Sequence, residues 1–231
     1  MTDDLREIPT YTVAEAAHYL RIPVNTLRRW LLGYSNQIRT GATRSKPLIT
    51  IAGTDPNLLS FHNLVEAHVL SALRKTHGIS MLRVRQALDY LEEEYPSKHP
   101  LTDHWFHTDG IEIFITEYGK LESISEQGQL AMRGFLEKSL SRVERDDLKI
   151  AMRLYPFPYT SNLPATDTRL IVIDPKVSYG RPVITGSGIP TSIIAERFQA
   201  GESFEQLRVD YGRTAQEIEE AIHCEIWQQA A

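Results

Sequence analysis

Residues 11–46, YTVAEAAHYLRIPVNTLRRWLLGYSNQIRTGATRSK, decide how the chain is read. Thr12 followed by Glu15 is a capping-box pair, in which hydroxyl and carboxylate satisfy one another's free backbone amides at a helix start. Val13, Ala16, Ala17 and Leu20 then share one apolar face at helical spacing. Arg21-Ile22-Pro23 interrupts that helix. Val24-Asn25-Thr26 starts a second, which turns Leu27, Trp30 and Leu31 inward and leaves Arg28 and Arg29 on its outer side. Two short helices across a tight turn, with arginines projecting from the second, outline a helix-turn-helix reader of DNA.

Charge points the same way. Between Ile8 and Pro47 the basic residues are Arg21, Arg28, Arg29, Arg39, Arg44 and Lys46, against Glu15 alone, while the whole chain carries a formal net charge of -5. A cationic patch on an anionic protein marks a local site rather than general stickiness. A small helical hairpin with a solvated basic face is the plainer alternative. The direct-contact candidates are Thr12, Asn25, Thr26, Arg28 and Arg29. Arg39, Arg44 and Lys46 are candidates for phosphate or minor-groove contact from a wing.

The rest of the chain bounds what such a reader belongs to. At 231 residues it holds one large domain or two to three small ones, and its 42% hydrophobic and 24% charged content is that of a folded protein. No apolar run is long enough to cross a bilayer, and the N-terminus lacks a signal peptide's basic-then-apolar layout. The single Cys224 rules out an internal disulfide framework and a multi-cysteine metal site, so a cytoplasmic protein is expected.

Downstream of the second helix, Gly33 to Lys46 is rich in Gly, Ser, Thr and Arg, and Pro47–Ile51 reads as a short strand. A basic loop beside a strand is what a DNA-contacting wing looks like. A helix follows with Phe61, Leu64, Val65, His68 and Ala72 on one face. Another starts at Ser80 with Met81, Val84, Leu88 and Leu91 aligned. YTVAEAAHYLRIPVNTLRRW, together with LLSFHNLVEAHVLSALRKTHGISMLRVRQALDYL, resembles the DNA-binding half of the MerR family. That family follows its winged helix-turn-helix with a helix pair ending in a leu-arg, gly-hydrophobic-ser, ile-arg pattern, here Leu73-Arg74, Gly78-Ile79-Ser80 and Val84-Arg85. Two departures stand out. The family's long dimerising helix is stopped here by Tyr95-Pro96, and the cysteines of its metal sensors are missing.

Residues 96–155 read as a different, acidic unit. Trp105–Thr108, Asp109-Gly110 and Ile111–Thr116 suggest a β-hairpin, because Asp-Gly supplies the positive φ angles of a type I′ turn. Glu117–Lys120 reads as a second turn before Leu121–Ser123. A helix is expected after it, with Leu130, Phe135 or Leu136, Leu140 and Val143 inside. Residues 156–168, rich in proline and aromatics, read as a linker.

Residues 169–231 read as a C-terminal unit. Leu170–Ile173 is a buried strand, Val183-Ile184 offers an edge strand for pairing with another chain, and three helices follow, two of them opened by the capping pairs Ser203/Gln206 and Thr214/Glu217. IDPKVSYGRPVITGSGIPTSIIAERFQAGESFEQLRVDYGRTAQEIEEAIHCE is similar to the domain of unknown function numbered 433, a small helical domain grouped with VapB-type antitoxins. Gly186-Ser187-Gly188 departs from the Gly-Thr-Arg often found there. Glu217, Glu219, Glu220 and Glu225 would make the last helix a poor partner for DNA, so this unit is assigned to self-association or partner binding.

The expected fold is thus mostly α (α+β). A winged helix-turn-helix (1–95), a hairpin-plus-helix middle unit (96–155), a linker (156–168) and a three-helix C-terminal domain (169–231) succeed one another. No catalytic set emerges. His99, His104 and His107 with Asp103 form the one grouping like metal ligands, and a surface turn explains it better. Gly186-Ser187-Gly188 lacks the lysine of a phosphate loop, and Cys224 lies in an acidic helix that blunts its nucleophilicity. No enzyme, metal or cofactor is expected. The resemblances imply a DNA-binding antitoxin of a type II toxin–antitoxin pair, a homodimer on double-stranded operator DNA. It would autorepress its operon and neutralise a PIN-like ribonuclease toxin through the C-terminal domain, the linker or the acidic middle. One alternative is a stand-alone regulator sensing a small effector at Trp105, Phe106 and Tyr118. The other is an interaction adaptor that does not bind DNA.

Overall fold

Thr12 opens the first helix in the way its sequence suggests. In the computed structural model, which describes residues 4–38, 41–51, 55, 57–75, 79–160 and 168–226, Thr12 caps helix α1 (Val13–Leu20). Its hydroxyl accepts the Glu15 amide at 3.2 Å while the Glu15 carboxylate accepts the Thr12 amide at 2.8 Å. Arg21 ends the helix in a left-handed conformation, and Pro23 leads into α2 (Val24–Leu32) with Leu27, Trp30 and Leu31 buried. Strands β2 (Tyr34–Ile38) and β3 (Gly41–Ser45) follow as an antiparallel hairpin in the position expected of a wing.

Pro47–Ile51 is not a strand. The amides of Leu48 and Ile49 both donate to the Trp30 carbonyl, at 2.6 and 3.1 Å, so they close the open C-terminal end of α2 instead of a ladder. The strand that does form nearby is β4 (Leu58–Leu59), which pairs antiparallel with β1 (Tyr11–Thr12) and clamps the entry to α1.

Helix α3 (Phe61–Lys75) runs through the centre. Every position from Phe61 to Leu73 is buried, which a helix apolar on one face alone would not require. Its polar groups are accordingly satisfied inside: Asn63 donates to the Thr50 carbonyl at 2.7 Å, and the His68 ring meets the Ser139 carbonyl at 3.1 Å. Helix α4 (Met81–Glu94) buries Val84, Leu88 and Leu91 as expected, with Met81 half-buried.

The middle unit corrects the hairpin reading. Phe106–Gly110 is a π-helical turn that continues into α5 (Ile111–Leu121), so the turn expected at Glu117–Lys120 lies inside a helix. Gly110 has helical φ -64 and ψ -30. It is small for packing rather than for a turn, because a Cβ there would stand 2.9 Å from Phe106 Cδ2 and 3.0 Å from Trp105 Cζ3. Ile111, Phe114, Ile115 and Tyr118 recur at helical spacing and are buried, and that period overlapped the alternating one read as strands. In α6 (Glu126–Leu140), Leu136 and Leu140 are inside, whereas Leu130 and Phe135 are exposed. A hairpin does exist in this unit, but later, between β5 (Val143–Arg145) and β6 (Ala151–Leu154).

The described part of the proline-rich segment, residues 156–160, packs down, while residues 161–167 of the expected linker lie outside the described residues. Buried Arg142 donates to the carbonyls of Tyr155 at 2.6 Å, Pro156 at 2.6 Å and Thr168 at 2.8 Å, and Leu154 exchanges backbone hydrogen bonds with Ile173. Strands β7 (Ile171–Val172) and β8 (Val183–Ile184) are antiparallel. The edge expected at Val183-Ile184 is not free: Val183 bridges Pro190, Ile184 donates to the Ile189 carbonyl at 2.9 Å, and both side chains are buried. Helices α7 (Thr191–Gln199), α8 (Phe204–Tyr211) and α9 (Ala215–Ile226) complete the chain, with both capping pairs formed. One continuous apolar core runs from Tyr11 to Cys224.

Candidate nucleic-acid interface

Helix α2 turns Asn25, Arg28, Arg29 and Leu32 to solvent along one side, with Thr26 half-buried beside them. Arg28 and Arg29 hold no carboxylate and no hydrogen-bond partner among the described residues. Arginines elsewhere behave differently: Arg6 pairs with Asp146, Arg153 with Asp174, and Arg181 with Glu15. Two unpaired guanidinium groups side by side on an exposed helix leave ten donor N–H groups, five each, for an outside acceptor. That is the donor set that reads guanine edges or phosphates.

The other expected contacts are placed unevenly. Thr12 is exposed, but its hydroxyl is occupied by Glu15, donating to the carboxylate at 2.8 Å, so it sets the start of α1. Lys46 is exposed directly after the β2–β3 hairpin, and its carbonyl accepts from Arg85. Arg39 and the side chain of Arg44 lie outside the described residues; the Arg44 backbone pairs with Ser35.

Sequence reading did not assign contacts to Arg74 and Arg85. Both line a cleft of about 290 Å³ with Thr26, Arg29, Trp30 and Met81, and no carboxylate is among its described lining residues. Exposed Arg74 extends the cationic surface from α2 onto α3, while Arg85 on α4 is buried and donates to the Lys46 carbonyl. The signal was the arginine repeated in the two helices, which no spacing argument tied to α2.

Other readings are removed or altered. Phe106 and Tyr118, named for an effector pocket, are buried in the core, and the Tyr118 hydroxyl accepts the Ser80 amide at 2.9 Å. His99 is buried between Glu66 at 3.1 Å and Glu7 at 3.3 Å and shares a cleft with Asp103 and His104, but the described residues contain no grouping that would hold a metal. Burial pushes the Cys224 thiol up, with neighbouring Glu225 adding to it. Three of the four acids of α9 turn out to serve the fold. Glu217 caps Thr214, Glu225 accepts the Thr191 hydroxyl, and buried Glu220 holds the Tyr159 and Thr160 amides at 2.5 and 3.0 Å.

A helix-turn-helix with a hairpin behind it, and two arginines on its second helix without a partner among the described residues, gives the N-terminal part the outline of a helix-turn-helix reader. Residues 9–88 match the family described as "Putative DNA-binding HTH domain", and residues 171–223 match that described as "Protein of unknown function (DUF433)". The chain is similar to "Putative antitoxin VapB45" of Mycobacterium tuberculosis (strain ATCC 25618 / H37Rv), 29% identical over 233 residues, covering 94% of this chain and 93% of the relative. It is also similar to "Uncharacterized protein Rv2308" of the same organism, 24% identical over 221 residues, covering 92% and 88%. Among solved structures, the crystal structure of Rv2018 from Mycobacterium tuberculosis superposes with a TM-score of 0.67 at 27% identity, covering 93% of this chain and 98% of that one. No helix among the described residues is long and apolar enough to cross a membrane.

Proposed function

We propose that this chain is a DNA-binding antitoxin of a type II toxin–antitoxin pair. It binds operator DNA through α2 and the hairpin behind it, acts as a cytoplasmic homodimer on a palindrome, represses its own operon and neutralises a PIN-like ribonuclease toxin. The observation that carries the reading is the exposed Arg28–Arg29 pair on the second helix of the helix-turn-helix, without a partner among the described residues. A relative named as an antitoxin, similar over 94% of the chain, supports the partner class. Residues 96–155 hold ten Asp and Glu against eight Lys and Arg, exposed Glu92-Glu93-Glu94 precede them at the end of α4, and this anionic middle suits a basic ribonuclease face.

The test is co-expression with the product of the adjacent gene, followed by a mobility shift of the purified material on their shared promoter at low and moderate salt. A stable complex and a salt-sensitive shift support the reading. A chain that purifies alone and leaves the promoter unshifted rejects it.

A further inference from the structure

We infer that the C-terminal domain and the segment before it are a working part of the DNA-reading module, in which Arg181 of the domain and Tyr159 of that segment are positioning residues that hold the first helix of the helix-turn-helix at both ends. This rests on the DNA-binding reading above and adds to it a role for a domain otherwise assigned to partner binding.

At the N-terminal end of α1, one carboxylate serves two structures. Glu15 Oε2 accepts the amide and hydroxyl of Thr12, both at 2.8 Å, and its Oε1 is held by Arg181 from the loop between β7 and β8. Burial alone would raise the Glu15 carboxyl, but the Thr12 and Arg181 hydrogen bonds outweigh it and keep the group below its usual value, charged and engaged. At the C-terminal end, the Tyr159 hydroxyl donates to the Tyr19 carbonyl at 2.6 Å. Arg21 donates to the Tyr159 carbonyl at 2.5 Å and lies over the Tyr159 ring at 4.4 Å. The Tyr159 amide is itself fixed by Glu220 of α9.

A helix of this length, about 12 Å at the usual rise, is held at its angle more firmly by hydrogen bonds at both ends than at one. Because α2 packs on α1, its angle to the groove is set from behind. Arg181 is already neutralised by Glu15, so it acts on DNA through α1 and not as a phosphate contact. A partner that draws on Arg181 or on the Tyr159 strap would accordingly be felt at the operator.

The experiment measures promoter affinity of the full chain across a salt series for wild type, Arg181→Ala, Tyr159→Phe and Arg28→Ala, with amide exchange along Val13–Leu20. Tyr159→Phe keeps the ring in the core and removes one hydrogen bond, so it reports even if Arg181→Ala is poorly folded. Expected are affinities about three- to tenfold weaker for both positioning variants, with a wild-type salt slope and faster α1 exchange. Arg28→Ala should instead weaken binding about tenfold or more with unchanged α1 exchange. If Arg28→Ala weakens binding while Arg181→Ala and Tyr159→Phe bind as wild type, the positioning role is wrong and the DNA reading survives. A reduced slope for Arg181→Ala makes it a direct phosphate contact and overturns the inference too. If wild type shows no salt-sensitive binding, the DNA reading falls first and takes the inference with it.

Discussion

The Tyr11 hydroxyl donates to the Gly180 carbonyl at 3.0 Å, joining residues 169 positions apart in the chain. Gly180 has φ +76, and a Cβ on it would run into the Tyr11 hydroxyl. Left-handed backbone and close approach both demand glycine here. Gly180→Ala should therefore lower stability by about 2 kcal/mol or more, read from the denaturation midpoint. Tyr11→Phe removes the colliding oxygen, so the two substitutions should be non-additive, with the double mutant less damaged than the sum. Strict additivity would show that the two residues do not touch.

Arg142 is almost fully buried and spends its guanidinium on three backbone carbonyls, with burial pushing its pKa down to about 10. Arg142→Ala leaves those carbonyls without donors beneath the Pro156 segment, which should cost about 3 kcal/mol. Thermal unfolding measures it, and a loss below 1 kcal/mol would mean that the carbonyls find other partners.

His62 is buried and stacked on His99 at 4.9 Å, with Thr102 at 3.4 Å and Glu7, Arg6 and Asp4 nearby. Burial, and then the charge on His99, push its pKa from 6.5 to about 4. The unfolded chain takes up this proton first, so the stability His62 contributes is present above its ordinary 6.5 and lost as pH falls toward 4. His99 works the other way. Burial lowers its pKa but Glu66 and Glu7 raise it further, so its contribution is lost as pH rises. Wild type should lose roughly 2 kcal/mol more than His62→Phe on going from pH 7 to pH 4.5, measured by unfolding at each pH. Parallel pH curves for the two proteins would contradict the assignment.

On the reading face, Arg28→Ala should weaken operator binding by about 1–3 kcal/mol and relax preference at one base position if Arg28 reads a base. Lys46→Ala should chiefly reduce the salt slope, by about one, across all sequences. Titrations at several salt concentrations against operator and scrambled DNA separate the two behaviours.

Some features were legible because a few neighbouring residues decide them. Thr12 and Glu15, Ser203 and Gln206, and Thr214 and Glu217 are each three apart, and all three pairs form the caps that spacing suggests. The exposure of Arg28 and Arg29 follows from where Leu27, Trp30 and Leu31 must point. Asp109-Gly110 misled because the same dipeptide suits a turn or a tight helix contact, and Trp105 and Phe106 packing against Gly110 selects the second. Acids of α9 read as surface charge became internal ligands, because Glu220 meets amides 60 and 61 residues away.

Helix starts and stops, the two-helix outline and the gathering of cations near the front were thus determined by the sequence itself, since propensity, capping and periodicity act within a turn or two of the chain. The third dimension alone decided that Arg181 would share Glu15, 166 residues back, with Thr12, that Tyr159 would brace the end of α1, and that Val183-Ile184 would be covered. Such contacts depend on which surfaces meet once the core closes, and no local pattern of residues encodes the partner on the far side.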